Sequence, residues 1–430
     1  ISTELFGGVS DSQLAKIATI NSAEVKARIA WSLGRLDRLS KSQEAALYQL
    51  LQDNAPLVQR FVLESVQGRP DRARSLDRKT LAKLLASPHR FIRAQAARVL
   101  PLLKKAQSVE VRQHVANNRV GRLSYWLGTL DRREIRAVDA PSKIALRTGL
   151  SEAFDRNQLL VHRLAATRLV QLALGDLGAG TDGAKHGPVF LGYGRRVTLS
   201  QGMLPQISSS SFLPTGSRLL DRELTRILAM LQLRGPEFQS TVASYISSKS
   251  HPVEDIHNLT VLARLQASGE ENRSQIAGAL VGLESKIESL KLYQDRNWEP
   301  RVREITKQLI NADPKLTAAM IADPRFGHPG HLMFLGLLSK ELRQKALDKM
   351  IARIKKEGDD YVWSNGMIRE LAASGSTAHL KLVRDQFDNF SVRNSVLQQL
   401  ARKPVVKDRQ RFVSGLGSSQ VGIVAASAQA

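Results

Sequence analysis

Four stretches of this chain repeat one pattern: a polar turn, a β-branched anchor, then an amphipathic run of small aliphatic residues. Asn21-Ser22-Ala23-Glu24-Val25 leads into KARIAWSLGRL, and Asp53-Asn54-Ala55-Pro56-Leu57-Val58 leads into QRFVLESV. Ser87-Pro88-His89-Arg90-Phe91-Ile92 leads into RAQAARVL, and Asp155-Arg156-Asn157-Gln158-Leu159-Leu160-Val161 leads into HRLAATRLV. The anchors Val25, Val58, Ile92 and Val161 lie 33, 34 and 69 residues apart, the last interval being two periods. A period in the thirties is a pair of short helices, which cannot bury its own apolar face and must stack on copies of itself. The expected fold is therefore all-α, an α-solenoid. Polar turn residues supply helix caps, and Pro56 and Pro88 suit a first helical turn, where no amide donor is lost.

The period and the degenerate helix pairs fit HEAT-like repeats. Armadillo-like and tetratricopeptide arrays share the signature, although the consensus aromatics and glycines of the tetratricopeptide do not recur. Aromatic residues make up 5% of the chain against 42% hydrophobic residues overall, and small or linear side chains suit closely packed helices better than a sandwich or barrel core. At 430 residues, an array of ten to twelve pairs would account for the length.

The chain has no cysteine, so this stretch holds no disulfide, thiol nucleophile, thiolate zinc site or CxxCH haem attachment. No apolar run reaches the roughly 18–20 residues of a membrane span. The chain opens at Ile1 with no signal-like segment and stops inside an apparent helix, so both ends read as cuts. The net charge of +23 is uneven: Gly68 to Arg136 carries 17 Lys/Arg against 5 Asp/Glu, a local balance of +12. Such a stripe suits an acidic protein, a phosphate backbone or simply solvent. Arg72, Arg74, Arg78, Lys79, Arg90 and Arg93 are its candidate partner-binding residues. Base stacking would need interleaved aromatics, and between Arg69 and Lys105 there is only Phe91 besides His89. The repeat frame assigns Phe91 to a helix start, which favours a protein partner over nucleic acid.

Regularity fails between Gly175 and Gly216, which holds 9 of the 29 glycines and a run of four serines at Ser208–Ser211. Short apolar pieces at Pro188–Leu191, Met203–Ile207 and Phe212-Leu213 point to a packed insertion rather than a linker. Three regions follow: HEAT-like repeats over 1–174, the insertion over 175–217, and further repeats over 218–430. In the last, Leu224, Ile227, Leu228 and Leu231 form an i, i+3, i+4, i+7 stripe. Later anchors fall at Val392 and Val421.

The strings LPTGSRLLDRELTRILAMLQ, HPVEDIHNLTVLARL, YQDRNWEPRVREI and DPRFGHPGH, between Leu213 and His331, resemble the HEAT-repeat region of large planctomycete-type multidomain proteins. In that family a sugar-dehydrogenase-like propeller and a c-type cytochrome module flank the helices. The resemblance implies an exported, periplasmic protein in a redox context. It brings no catalytic or cofactor-binding residue to this segment, and no cofactor is expected here.

Candidate chemistry is sparse. Glu254-x-x-His257, with His251 nearby, has the spacing of a di-iron carboxylate half-site, but one copy builds no site, and capping histidines are the simpler reading. Gly327-His328-Pro329-Gly330-His331 sets two His across a tight turn and would need a further ligand to hold a metal. GYGRR (Gly192–Arg196) lacks the strand–turn–helix context of a phosphate loop, though Arg195 and Arg196 remain candidate partner contacts, and an enzyme site here would use His186, Tyr193 or Arg195. Trp298 and Arg301 are further candidate contacts, with Trp298 read first as packing; Trp31, Trp126 and Trp363 are read as core. The sequence thus points to a non-catalytic scaffold that binds a protein partner or spaces neighbouring domains of its own chain. A basic nucleic-acid-binding module is the rival.

Overall fold

The computed structural model describes residues 11–14, 16–130, 140–175, 181–196 and 213–430. Among them every regular element is helical, and the chain forms two compact units.

The first unit spans 1–185 and 190–231. Its helices are α1 (Asp11–Leu14), α2 (Ala23–Arg35), α3 (Lys41–Leu51), α4 (Pro56–Val66), α5 (Pro70–Ser75), α6 (Arg78–Leu85), α7 (Arg90–Val99), α8 (Lys105–Val115), α9 (Arg119–Leu130), α10 (Ala140–Phe154), α11 (Leu160–Ala173) and α12 (Arg218–Leu231). Packing alternates. One layer stacks α2, α4, α7, α9, α11 and α12 in succession, while α1 packs on α3 and α6 on α8 in the other. Helices of the first layer thus meet a sequence neighbour and the equivalent helix of an adjacent repeat, which defines an α-solenoid.

The side chains explain the close stacking. Leu33, Leu47, Leu63, Leu81 and Leu85 are completely buried, each worth about 1.5–3 kcal/mol of burial. A Cβ built on Gly34 would lie 2.5 Å from Ser65 Cβ, and one on Gly128 2.4 Å from the Ala97 carbonyl oxygen. These glycines set the distance between α2 and α4 and between α7 and α9. Helix starts follow the turn chemistry in part. Ser22 Oγ accepts the Val25 amide at 3.2 Å, and Ser40 closes a capping box on α3. Pro56 is the first residue of α4, but Pro88 precedes the His89 cap position of α7 and lies outside the helix.

The anchors do not share one environment. Val58, Ile92 and Val392 are buried, whereas Val25, Val161 and Val421 are 48%, 52% and 84% exposed. Val161 is the second residue of its helix and Val421 the first, but Val25, like the buried Val58 and Ile92, is the third, so helix phase accounts for Val161 and Val421 and not for Val25. Each residue of offset turns a side chain by roughly 100°.

The insertion packs where it is described. Two 3-10 turns, Gly183–His186 and Pro188–Tyr193, hold a completely buried Phe190. Its return is tied by Arg196 N to Leu174 O at 2.9 Å and by Asp182 N to Arg195 O at 2.9 Å. Arg195 Nη1 donates to Leu231 O at 3.0 Å, joining the insertion to α12. Met203–Ile207, the serine run and Phe212 lie outside the described residues. The stripe of Leu224, Ile227, Leu228 and Leu231 is buried, and α12 packs on α11, so it belongs with the N-terminal repeats.

The second unit comprises 186–189 and 232–430. It contains α13 (Pro236–Ser244), α14 (Pro252–Leu265), α15 (Glu270–Ser289), α16 (Trp298–Ala312), α17 (Leu316–Ala322), α18 (Leu332–Leu335), α19 (Lys340–Glu357), α20 (Asn365–Ala373), α21 (Thr377–Asp385), α22 (Arg393–Leu400), α23 (Arg409–Gly415) and α24 (Val421–Gln429). The two-layer rule recurs: α13, α15, α17 and α19 stack in series, as do α14, α16 and α18, then α20, α22 and α24. Helix α14 is buried on nearly all sides, which suits a helix enclosed by neighbours. Buried ion pairs fasten layers: Lys286 to Asp255 at 2.5 Å, Arg273 to Asp313 at 2.8 Å, and Arg384 to Asp408 at 2.9 Å, with Arg411 also on Asp408.

Candidate functional site

The basic stretch divides into two kinds of cation. Arg72 leaves the short helix α5 and turns inward. It is 7% exposed, and its guanidinium donates to the carbonyls of Leu33, Gly34, Leu36 and Ser65. These oxygens stand at or just past the C-terminal ends of α2 and α4, where intrahelical donors run out, although Leu33 O also accepts the Leu36 amide at 3.3 Å. Burial, and secondarily the nearby Arg69, lowers the Arg72 pKa. This side chain is a structural cap closed off from a partner, which corrects its reading as a binding residue. Arg78 also folds back, donating to Leu76 O and, at 2.6 Å, to Arg74 O. Arg93 is half-buried and reaches Ser87 O at 2.7 Å and Pro88 O at 2.9 Å. Arg74 is exposed beside Asp71 at 3.8 Å.

The outward cations border two grooves of the first unit. Lys79 and Lys83 join Asn54, Gln59, His89, His114 and Asn118 around a polar groove of ≈ 570 Å³ at the helix turns. The second groove, ≈ 360 Å³, runs across α7, α9 and α11. Helix α7 contributes Arg90, Arg93, Ala94, Ala97 and Arg98, and α9 contributes Val120, Leu123, Ser124, Leu127 and Gly128. Helix α11 completes it with Val161, His162, Ala165, Arg168 and Leu172. On α7 and α9 these positions are i, i+3, i+4, i+7 and i+8, one helical stripe. The floor is aliphatic, the rim is four arginines and a histidine, and no carboxylate lines it. Arg90, Arg98 and Arg168 are exposed. Phe91 stands at the start of α7 as the repeat frame requires, yet it is 64% exposed and Arg90 Cζ lies 4.7 Å from its ring centre.

The sequence missed Arg98, His162 and Arg168 as members of one site. Their signal is the register shared by successive second helices, visible only once α11 is known to stack on α9. Arg195 spends its guanidinium on Leu231 O of α12, and Arg196 is tied by its backbone amide to Leu174 O. Tyr193, whose pKa burial raises to about 12, lies 5.7 Å from Arg226 Cζ, and His186 is exposed.

In the second unit, Trp298 opens α16 and donates from Nε1 to the buried Glu284 at 2.9 Å, the helix-start packing role. Arg301 is exposed, 3.9 Å from Asp295. Of the other tryptophans only Trp126 is buried. Trp31 is half-exposed between Arg28 and Arg35, at 4.0 and 4.9 Å, and Trp363 is half-exposed against Tyr361. His251 caps α14, its Nδ1 accepting the Val253 amide at 3.3 Å. His331 is completely buried, with Nδ1 accepting from Gly327 N at 3.1 Å and Nε2 donating to Val281 O at 3.0 Å. His328 Nδ1 accepts from Gly330 N, and Nε2 meets Glu288 at 2.9 Å. Both rings of the GHPGH turn are thus committed to holding it.

Stacked short helices presenting an arginine-rimmed apolar groove define the chain as an α-solenoid of the helical-repeat class. No protein-family model and no curated protein matches it. Among solved structures, it is similar at 12% identity and TM-score 0.34 to a chain from work on a phosphorylation switch controlling the cadherin–beta-catenin interaction, covering 98% of each chain. It is similar at 11% identity and TM-score 0.39 to a chain of a full-length AP-3 complex homology model in an intermediate open conformation, covering 99% of this chain and 91% of that one. Among the described residues no helix is long and apolar enough to cross a membrane.

Proposed function

We propose that this chain is a non-catalytic scaffold whose helical layers hold a protein partner, or neighbouring domains of its own chain. The groove across α7, α9 and α11 supports this reading most directly: repeats that stack rigidly present a continuous surface, and here that surface combines an aliphatic floor with an arginine rim. The setting is an exported multidomain redox protein of the kind its C-terminal strings resemble. The reading frame of the parent gene tests that setting, which fails if it encodes neither an export signal nor a CxxCH module.

Nucleic-acid binding is the second reading, favoured by the exposed Phe91–Arg90 pair beside the basic helices. Phosphate contacts give affinities that fall steeply with salt. Titrating labelled duplex DNA at about 0.15 M salt separates the two. The scaffold reading expects no saturable binding, and tight, saturable, salt-sensitive binding would replace it.

A further inference from the structure

The geometry points to the groove of α7, α9 and α11 as a docking site for an acidic amphipathic segment of a protein partner. This inference rests on the scaffold reading and names the partner chemistry. Three observations combine. The floor of Ala94, Ala97, Leu123, Leu127 and Ala165 offers apolar surface to aliphatic side chains, and its ≈ 360 Å³ falls within the roughly 300–1,000 Å³ of pockets that take ligands. The rim supplies exposed Arg90 and Arg98, with no carboxylate among the lining residues, and among the described residues Arg98 makes no ion pair. Guanidinium forks match carboxylates in bidentate geometry. The one aromatic side chain of the lining is the half-buried His162, whereas stacking successive bases takes several such platforms, so charge and floor together select apolar–acidic peptide over nucleic acid.

The test uses the full chain and a library of short peptides in which every position is either aliphatic or acidic, with fluorescence anisotropy of the selected members. Binding is expected, weakening with added salt. Arg98→Glu should weaken it roughly tenfold by turning an attraction into a repulsion. Ala94→Trp, an exposed position that fills the floor, should weaken it by a similar roughly tenfold factor while leaving helicity unchanged. Lys79→Glu, in the other groove, should change it by less than about twofold. Binding lost in Lys79→Glu but kept in Ala94→Trp and Arg98→Glu overturns the groove and leaves the scaffold reading standing. No binding by any peptide also overturns the groove, and if duplex DNA then binds saturably the scaffold reading falls with it.

Discussion

His331 makes the second unit sensitive to acid in a way that can be calculated. The ring is completely buried, 5.0 Å from Phe326 and 5.9 Å from Phe334 between ring centres. Only the neutral tautomer with its proton on Nε2 serves both partners, donating to Val281 O and accepting from Gly327 N. Burial first, then the neighbouring His328, pushes its pKa down to about 3 from an ordinary 6.5. Between those values the unfolded chain binds one proton more than the folded chain, so stability rises with pH across that window and is lost as pH falls. The limiting slope is about 1.4 kcal/mol per pH unit. Integrated from pH 7 to pH 5, this one ring removes about 2 kcal/mol. The assay is urea unfolding at both pH values, followed by tryptophan fluorescence in a Trp31→Phe, Trp126→Phe background that leaves Trp298 and Trp363 as reporters, with and without His331→Gln. The His331 substitution lowers stability at pH 7, but its loss on going to pH 5 should be smaller than the background's by about 2 kcal/mol. Equal losses in the two proteins would refute the assignment of His331 as a buried neutral ring.

Two further outcomes follow from the first unit. Arg72→Met should cost about 2–4 kcal/mol by taking the guanidinium from the Gly34, Leu36 and Ser65 carbonyls; Arg72→Lys should recover less than half, since an ammonium cannot fork across separate carbonyls. Thermal unfolding followed by circular dichroism at 222 nm measures both, and a neutral Arg72→Met would show the guanidinium is dispensable. Gly128→Ala should cost about 1–3 kcal/mol by forcing α7 from α9, whereas helix propensity alone would make alanine stabilising by about 1 kcal/mol, so the sign of the change in melting temperature decides between them.

The solenoid was legible because its cause is periodic: a helix pair with one apolar face must recur to be buried, and the recurrence shows at Val25, Val58 and Ile92. The exposure of Val25 and Val161 was not legible: Val161 is shifted by one residue in helix phase, and Val25 shares the phase of Val58 and Ile92 but differs from them in burial. Arg72 illustrates a second limit. A local count of charge treats it as an outward cation, but its acceptors Leu33 and Gly34 lie 39 and 38 residues earlier, brought near only by stacking. The groove is hidden for the same reason, as its third wall comes from Val161–Leu172. The GHPGH turn showed the converse: two histidines conspicuous in sequence each spend a ring nitrogen on a backbone amide of their own turn.

The distribution of charge follows from the architecture. Short helices end often, and every end leaves carbonyls without donors. A chain with arginine near those ends can close them with side chains, as Arg72 does for α2 and Arg93 does for the turn before α7. Part of the +12 between Gly68 and Arg136 is therefore consumed inside the fold and contributes little to any outside partner. What remains outward is concentrated by helical register, because positions i, i+3 and i+7 of successive second helices fall on one face. The same small residues that let α7 and α9 approach, Ala97 and Gly128, also leave the surface above them concave. Close packing and a binding groove are thus one consequence of placing alanine and glycine on that stripe, and the arginines at its edge determine the charge of the ligand it can accept.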